Sequence, residues 1–197
     1  MQNRFISQPP ISIAIIGVCA AIFLMQNVSA ALALWPLQSG YFEPWQILSY
    51  GFLHGSFNHI FFNMFSLWMF GLSIERVWGS RRFTVYYLVC VIGAGIVQLI
   101  VQHLSGEIYP TIGASGAVFG LLLAYGVMFP NNSIFLIFLP ITFKAKYFVL
   151  IYGGIELVFG ITNAMPQIAH FAHLGGLLVG AGVLWKWGWR PGMTWKW

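Results

Sequence analysis

The sequence predicts an all-α membrane protein, six transmembrane helices in one bundle, and three observations carry that prediction. First, 59% of the 197 residues are hydrophobic and only 7% charged, with a mean hydropathy of +0.80, whereas a soluble domain carries about 25% charged residues. Second, apolar runs fall at 11–26, 52–73, 83–102, 112–129, 147–161 and 168–187, and a hydrocarbon core of ~30 Å asks for about 20 helical residues. The fourth and fifth runs are on the short side. Third, all nine Lys and Arg residues lie in alternate gaps. Arg4 precedes the first run; Arg76, Arg81 and Arg82 separate the second from the third. Lys144 and Lys146 precede the fifth, and Lys186, Arg190 and Lys196 close the chain. With six spans every one of these cations lies on one side, which places both termini in the cytoplasm. The net charge of +5 sits at the ends of apolar runs and forms no patch, so no nucleic-acid partner is expected; the expected partners are membrane lipid and other membrane proteins. The whole chain, 1–197, reads as a single membrane domain with no extra soluble domain and no seventh span.

The first run is a transmembrane helix, since further spans follow it and no clear cleavage site precedes polar sequence. Cys19 and Cys90 each sit inside an apolar run, without the spacing of a disulfide framework or a thiolate metal site. The external loop from Val28 to about Ser49 holds Trp35, Leu37, Tyr41, Phe42, Trp45 and Ile47. It reads as a segment in the membrane interface, either as an aromatic belt or in contact with a substrate.

The second run carries His59 and Asn63, four apart and therefore on one helix face, both able to donate hydrogen bonds. Polar groups of this kind in a span either glue helices together or serve a site. His54 and Asn58 lie nearer the interface. Glu75-Arg76 closes the run with a local ion pair or helix cap, and Gly79-Ser80-Arg81-Arg82 turns into the third run, where Gly93 and Gly95 allow close packing. His103 and Glu107 fall in the next external loop.

The fourth run opens with Thr111-Ile112-Gly113-Ala114-Ser115-Gly116. Glycines on both sides of Ser115 let a foreign backbone approach its hydroxyl, and Gly116 with Gly120 forms a small-residue ridge. The run enters from outside, so Ser115 lies about one turn below the external end. Ile134 to Ile141, broken by Pro140, is too short to span and reads as an interfacial or re-entrant piece. Glu156 in the fifth run is costly in hydrocarbon and thus a functional candidate; the alternative is a protonated or structurally bonded carboxyl group. In the sixth run Ala172, Gly176 and Gly180 make a second ridge, and packing the two ridges brings His173 level with Ser115. Trp185, Trp187, Trp189, Trp195 and Trp197 among basic residues form a cytoplasmic interface anchor.

A serine becomes a nucleophile when a base takes its proton, and histidine suits that task near neutrality. The chain contains no aspartate, which excludes a Ser-His-Asp triad; the economical reading is a dyad of Ser115 and His173. His170, one turn earlier, is a rival base. His59, Asn63 and the Ser115 backbone N–H are candidate donors to an oxyanion. No cofactor and no metal is called for.

On these residues the chain resembles the rhomboid family of intramembrane serine proteases. Gly113-Ala114-Ser115-Gly116 matches the family's G-x-S-G, His59 to Asn63 its H-x-x-x-N, Ala172-His173 with Gly176 and Gly180 its last helix, and Glu75-Arg76 its acidic-basic pair. The resemblance implies a six-helix bundle with a water-filled cavity opening outward. It implies Ser115 as nucleophile, His173 as general base and acid, and His59 and Asn63 in the oxyanion hole. The implied substrate is another protein's transmembrane segment, cut near its external end, with the fifth helix and an external loop resembling a lateral gate. The implied location is a bacterial inner (plasma) membrane. Two positions depart from the family pattern: Phe119 stands where some relatives have tyrosine, and Gln46 follows Trp45 where relatives often have arginine. Two other functions stand beside the protease: an inactive rhomboid-like protein that binds transmembrane helices, and a small transporter with His54, His59, Glu156 and His173 along its path. The sequence assigns no oligomeric state.

Overall fold

Gly79 sets the layout of the first half of the chain. In the computed structural model, which describes residues 11–25, 29–135, 141–162, 165 and 168–189, helix covers almost the whole stretch Phe57–Ser105. Gly79 lies within it at φ 74°, ψ 159°, a conformation open to glycine because it has no Cβ. The chain doubles back there. The rings of Trp78 and Tyr86 stand 5.0 Å apart, and a Cβ on Gly71 would lie 3.5 Å from Phe83 Cζ; on a straight helix those two residues would be about 18 Å apart along the axis. Two antiparallel arms result, 57–78 and 80–105, which contain the bulk of the second and third apolar runs.

The elements are α1 (Ile11–Leu24), α2 (Ser29–Leu32), α3 (Gln46–Ser49), α4 (Phe57–Ser66), α5 (Leu72–Ser105), α6 (Ser115–Met128), β1 (Ser133–Phe135), β2 (Thr142–Lys144), α7 (Ala145–Thr162) and α8 (His170–Lys186). A π-helical segment, Leu67–Gly71, joins α4 to α5. By length and composition, Phe57–Ser105 and Ala145–Thr162 are able to cross a membrane; Ile11–Leu24 and Ser115–Met128 are apolar but shorter. Arg4, Pro9-Pro10, Gln26-Asn27, Pro140, Arg190, Trp195, Lys196 and Trp197 lie outside the described residues.

Helix α6 is apolar all round, and such a helix belongs in a core. Gly116 to Leu122, Ala124, Gly126 and Met128 are all buried. Its main neighbours are α5 and α8. The contact with α8 is backbone on backbone: a Cβ on Gly120 would lie 3.2 Å from the Gly176 carbonyl oxygen, and one on Gly180 would lie 3.3 Å from Gly120 Cα. The two small-residue ridges are thus mated.

Three readings gain detail. Among the described residues Glu75 forms no ion pair, and of the two alternatives the helix cap is the one seen, on a helix distant in sequence. Its carboxylate accepts hydrogen bonds from the backbone N–H groups of Ile11 (2.6 Å) and Ser12 (2.9 Å), and from the hydroxyls of Ser12 (2.6 Å) and Ser80 (2.6 Å). It therefore caps α1, whose first turn has N–H groups with no intrahelical acceptor. Most of the stretch from Ile134 to Ile141 lies outside the described residues, 136–140, but its flanks pair as antiparallel strands, with Ser133 opposite Lys144, Ile134 opposite Phe143 and Phe135 opposite Thr142. Ile134 is buried between two exposed neighbours, the period of two that favours a strand.

The third reading concerns Gln46, a departure from the family pattern that anchors the loop between α2 and α4. Its Oε1 accepts from the N–H groups of Trp35 (3.2 Å) and Glu43 (3.1 Å), and its Nε2 donates to the carbonyls of Ala31 (3.3 Å) and Tyr41 (3.0 Å). Both ends of the amide are used, and the residue is buried.

Candidate active site

Ser115 is the first residue of α6, so its N–H belongs to the turn in which donors find no carbonyl within the helix. The backbone is bent into place just upstream. Gly113 adopts φ +124° and donates its N–H to the Tyr50 carbonyl at 2.9 Å, while Tyr50 is itself fixed by a 2.7 Å hydrogen bond from its hydroxyl to the Val91 carbonyl. Ser115 remains half-buried and opens on a cavity of about 1390 Å³ that His59, Asn63, Phe119, Tyr152, Glu156 and His173 also line.

His173 lies one turn into α8, where the mated ridges bring it level with Ser115. Its Nε2 stands 2.8 Å from Ser115 Oγ. Phe119, one turn below the serine, stacks flat on the imidazole with ring centroids 4.4 Å apart and planes 9° apart. Tyr152 stacks on the far side of Phe119 at 5.3 Å, and Phe148 on Tyr152 at 5.4 Å. The ring that replaces tyrosine here keeps the packing face for His173.

The candidate donors, His59 and Asn63, lie on α4. Ser56 caps this helix by accepting the His59 N–H at 3.2 Å, which fixes where the helix starts and hence where His59 points. A Cβ on Gly113 would lie 2.6 Å from His59 Nε2 and 3.5 Å from Ser115 Oγ, so the missing side chain leaves a gap between these two polar atoms. Asn63 is buried beside it and uses one N–H on the His59 carbonyl at 2.9 Å; the second amide hydrogen remains for another acceptor. His54 meets His59 ring edge to face at 4.9 Å and does not join Ser115.

Glu156, which the sequence left between a functional and a structural role, and His170, the rival base to His173, both join the cluster. Glu156 Oε2 lies 2.9 Å from His173 Nδ1 and 2.6 Å from His170 Nδ1. His170 Nε2 donates to the Met165 carbonyl at 3.2 Å, which turns this histidine away from Ser115 and rules it out as the base in this arrangement. Among the described residues, Glu156, His170 and His173 are the one group able to offer three metal-ligand atoms, all within 4.8 Å. A signal for Glu156 was present: consecutive apolar runs alternate in direction, so Glu156 late in α7 and His173 early in α8 fall at similar depth.

The family model described as the Rhomboid domain matches residues 41–190. The chain belongs to the rhomboid family. Rhomboid relatives include the rhomboid protease GluP of Bacillus subtilis (strain 168), 36% identical over 140 residues, 70% of this chain and 25% of GluP. The rhomboid protease GlpG of Klebsiella pneumoniae is 32% identical over 180 residues, 87% of this chain and 60% of GlpG. The mitochondrial presenilin-associated rhomboid-like protein of Rattus norvegicus is 32% identical over 130 residues, 66% of this chain and 34% of that protein. The chain therefore spans between a quarter and three fifths of the length of these rhomboid relatives. As a rhomboid it is an integral membrane protein of a family that contains proteases.

Proposed function

We propose that this rhomboid is an intramembrane serine endopeptidase that cleaves transmembrane segments of other membrane proteins near their external end. The observation that carries the proposal is the 2.8 Å hydrogen bond between Ser115 Oγ and His173 Nε2 on the wall of a large cavity. In this reading Ser115 attacks the scissile carbonyl and His173 takes its proton, later passing it to the leaving amide nitrogen as the C–N bond breaks. His59, the free N–H of Asn63 and the Ser115 backbone N–H hold the tetrahedral oxyanion in the gap that Gly113 leaves. Each such donor is worth about 3 to 4 kcal/mol of transition-state stabilisation. No cofactor or metal takes part.

The proposed setting is one membrane domain, 1–197, with six spans, both termini in the cytoplasm, in a bacterial inner membrane. The folded-back arms at Gly79 support counting Phe57–Ser105 as two of those spans. Helix α6 has 14 residues, so it is about 21 Å long, short of a ~30 Å hydrocarbon core. Its first residue then lies beneath the lipid surface, and the cavity brings water to it.

The test is cleavage of a reporter transmembrane substrate in proteoliposomes, with fluorophosphonate labelling alongside. The wild-type protein is expected to cleave and to be labelled on Ser115; Ser115→Ala and His173→Ala are expected to insert, fold and do neither. Full cleavage by either variant overturns the proposal. A folded wild-type protein that binds the reporter, never cuts it and takes no label is instead an inactive helix-binding rhomboid.

A further inference from the structure

We infer that Glu156 is a positioning residue for His173, so that the site works as Ser115–His173–Glu156 with His170 as the partner of the carboxyl group. This rests on the protease reading above and adds a third side chain to the dyad.

The argument is an account of hydrogens. A carbonyl oxygen only accepts, so His170 Nε2, 3.2 Å from the Met165 carbonyl, carries a hydrogen. The 2.6 Å contact between His170 Nδ1 and Glu156 Oε2 then contains one proton shared between them, whichever atom holds it. The pair is neutral overall in either arrangement, which removes the cost of an isolated carboxylate in hydrocarbon. The same Oε2 retains a lone pair for His173, and at 2.9 Å it accepts the His173 Nδ1–H. That contact selects the tautomer whose Nε2 has no hydrogen and is open to the Ser115 proton. When Nε2 takes that proton, the new imidazolium faces the carboxyl group on one edge and Phe119 on its flat side, while the oxyanion faces His59 and Asn63. Atoms and charge balance within the cluster.

The other groups around His173 do not serve in this way. Tyr152 on α7 stacks on Phe119, and His59 on α4 borders Gly113. A metal ion is the other occupant such a cluster could take. Two ligands bound tetrahedrally at ~2.0 to 2.1 Å stand about 3.3 Å apart; the 2.6 and 2.9 Å separations here are hydrogen-bond lengths.

The experiment compares the wild-type protein with Glu156→Gln, Glu156→Asp and Ser115→Ala in the reporter assay, together with thermal unfolding in the same detergent. Glutamine fills the same space, but its amide leaves the tautomer of His173 unspecified. Glu156→Gln is expected to keep KM within about twofold and lose roughly 10²-fold in kcat, since a misdirected base costs up to ~10⁴-fold. Glu156→Asp is expected to recover about tenfold over glutamine at unchanged KM. Should the glutamine variant not fold, Glu156→Asp alone decides: kcat some tenfold below wild type supports the inference and wild-type kcat overturns it. Wild-type kcat in Glu156→Gln also overturns it, as does a loss that tracks the fall in melting temperature with no recovery by aspartate. Chelator-sensitive activity, or stoichiometric metal released by Glu156→Gln, assigns the cluster to a metal and overturns it too. Cleavage by Ser115→Ala would instead refute the protease reading, while an inactive Ser115→Ala beside a fully active Glu156→Gln refutes only the role of Glu156.

Discussion

Gly176 packs against Gly116 so closely that a Cβ on Gly176 would fall within the Gly116 carbonyl group. The obstacle is backbone at the start of a buried helix, which cannot rotate away as a side chain can. Overpacking of this kind costs about 1 to 3 kcal/mol and more where nothing yields. Gly176→Ala is therefore expected to destabilise the protein by at least about 3 kcal/mol and to part Ser115 from His173. Thermal unfolding in detergent and fluorophosphonate labelling of Ser115 check both effects; a wild-type melting temperature would show that the helices separate without cost.

Asn63 has one amide hydrogen committed to the His59 carbonyl, and the other is the one proposed to face an oxyanion. Asn63→Ala is expected to lower kcat by roughly 10² to 10³-fold with KM little changed, the pattern of a donor engaged only in the transition state. Steady-state cleavage of the reporter in proteoliposomes measures the split. A rise in KM at constant kcat would place Asn63 in ground-state binding.

Phe119 holds one face of His173 by a nearly parallel stack at 4.4 Å. Such pairs contribute about 0.5 to 1.5 kcal/mol beyond the area they bury. Phe119→Leu keeps most of the volume and loses the flat ring, so it is expected to reduce kcat about 2- to 13-fold, equivalent to that energy. Equal activity of the two proteins would show that Glu156 and the ridges hold the imidazole unaided.

Gln46 joins four backbone groups between Ala31 and Glu43. Gln46→Ala orphans them, and each buried unsatisfied group costs about 1 to 3 kcal/mol. The expected result is a fall in melting temperature and fast proteolytic nicking within 29–49, with Gln46→Glu intermediate because it keeps only the acceptor half. Resistance to protease equal to wild type would count against the anchoring role.

Much of the site was legible in the sequence because depth along a helix can be read from run boundaries. Ser115 sits near the start of the fourth run and His173 near the start of the sixth, and the spacing of Gly116, Gly120, Ala172, Gly176 and Gly180 says which faces meet. His59 and Asn63 follow from a four-residue spacing. What stayed hidden depends on rotation about a helix axis or on long separations in sequence. Glu156 sits at the right depth, but α7 is apolar on nearly every side, so no stripe tells which way it faces. Glu75 caps a helix 63 residues upstream, and Gln46 bonds to backbone groups that carry no residue code. The pairing of β1 with β2 was hidden because an apolar run too short to span gives no period by which to recognise a strand.

Helix α7 gives only 17% of its apolar window to the interior, against 50% for Phe57–Ser105, and it is the helix that carries Glu156. If the proposed protease admits its substrate beside α7, a bulky visitor would displace this loosely seated wall first, and the carboxyl group would travel with it, away from the imidazole. Entry and readiness would then be interlocked: the proposed machinery would stand disarmed while the door is ajar and rearm once the wall settles back around its guest.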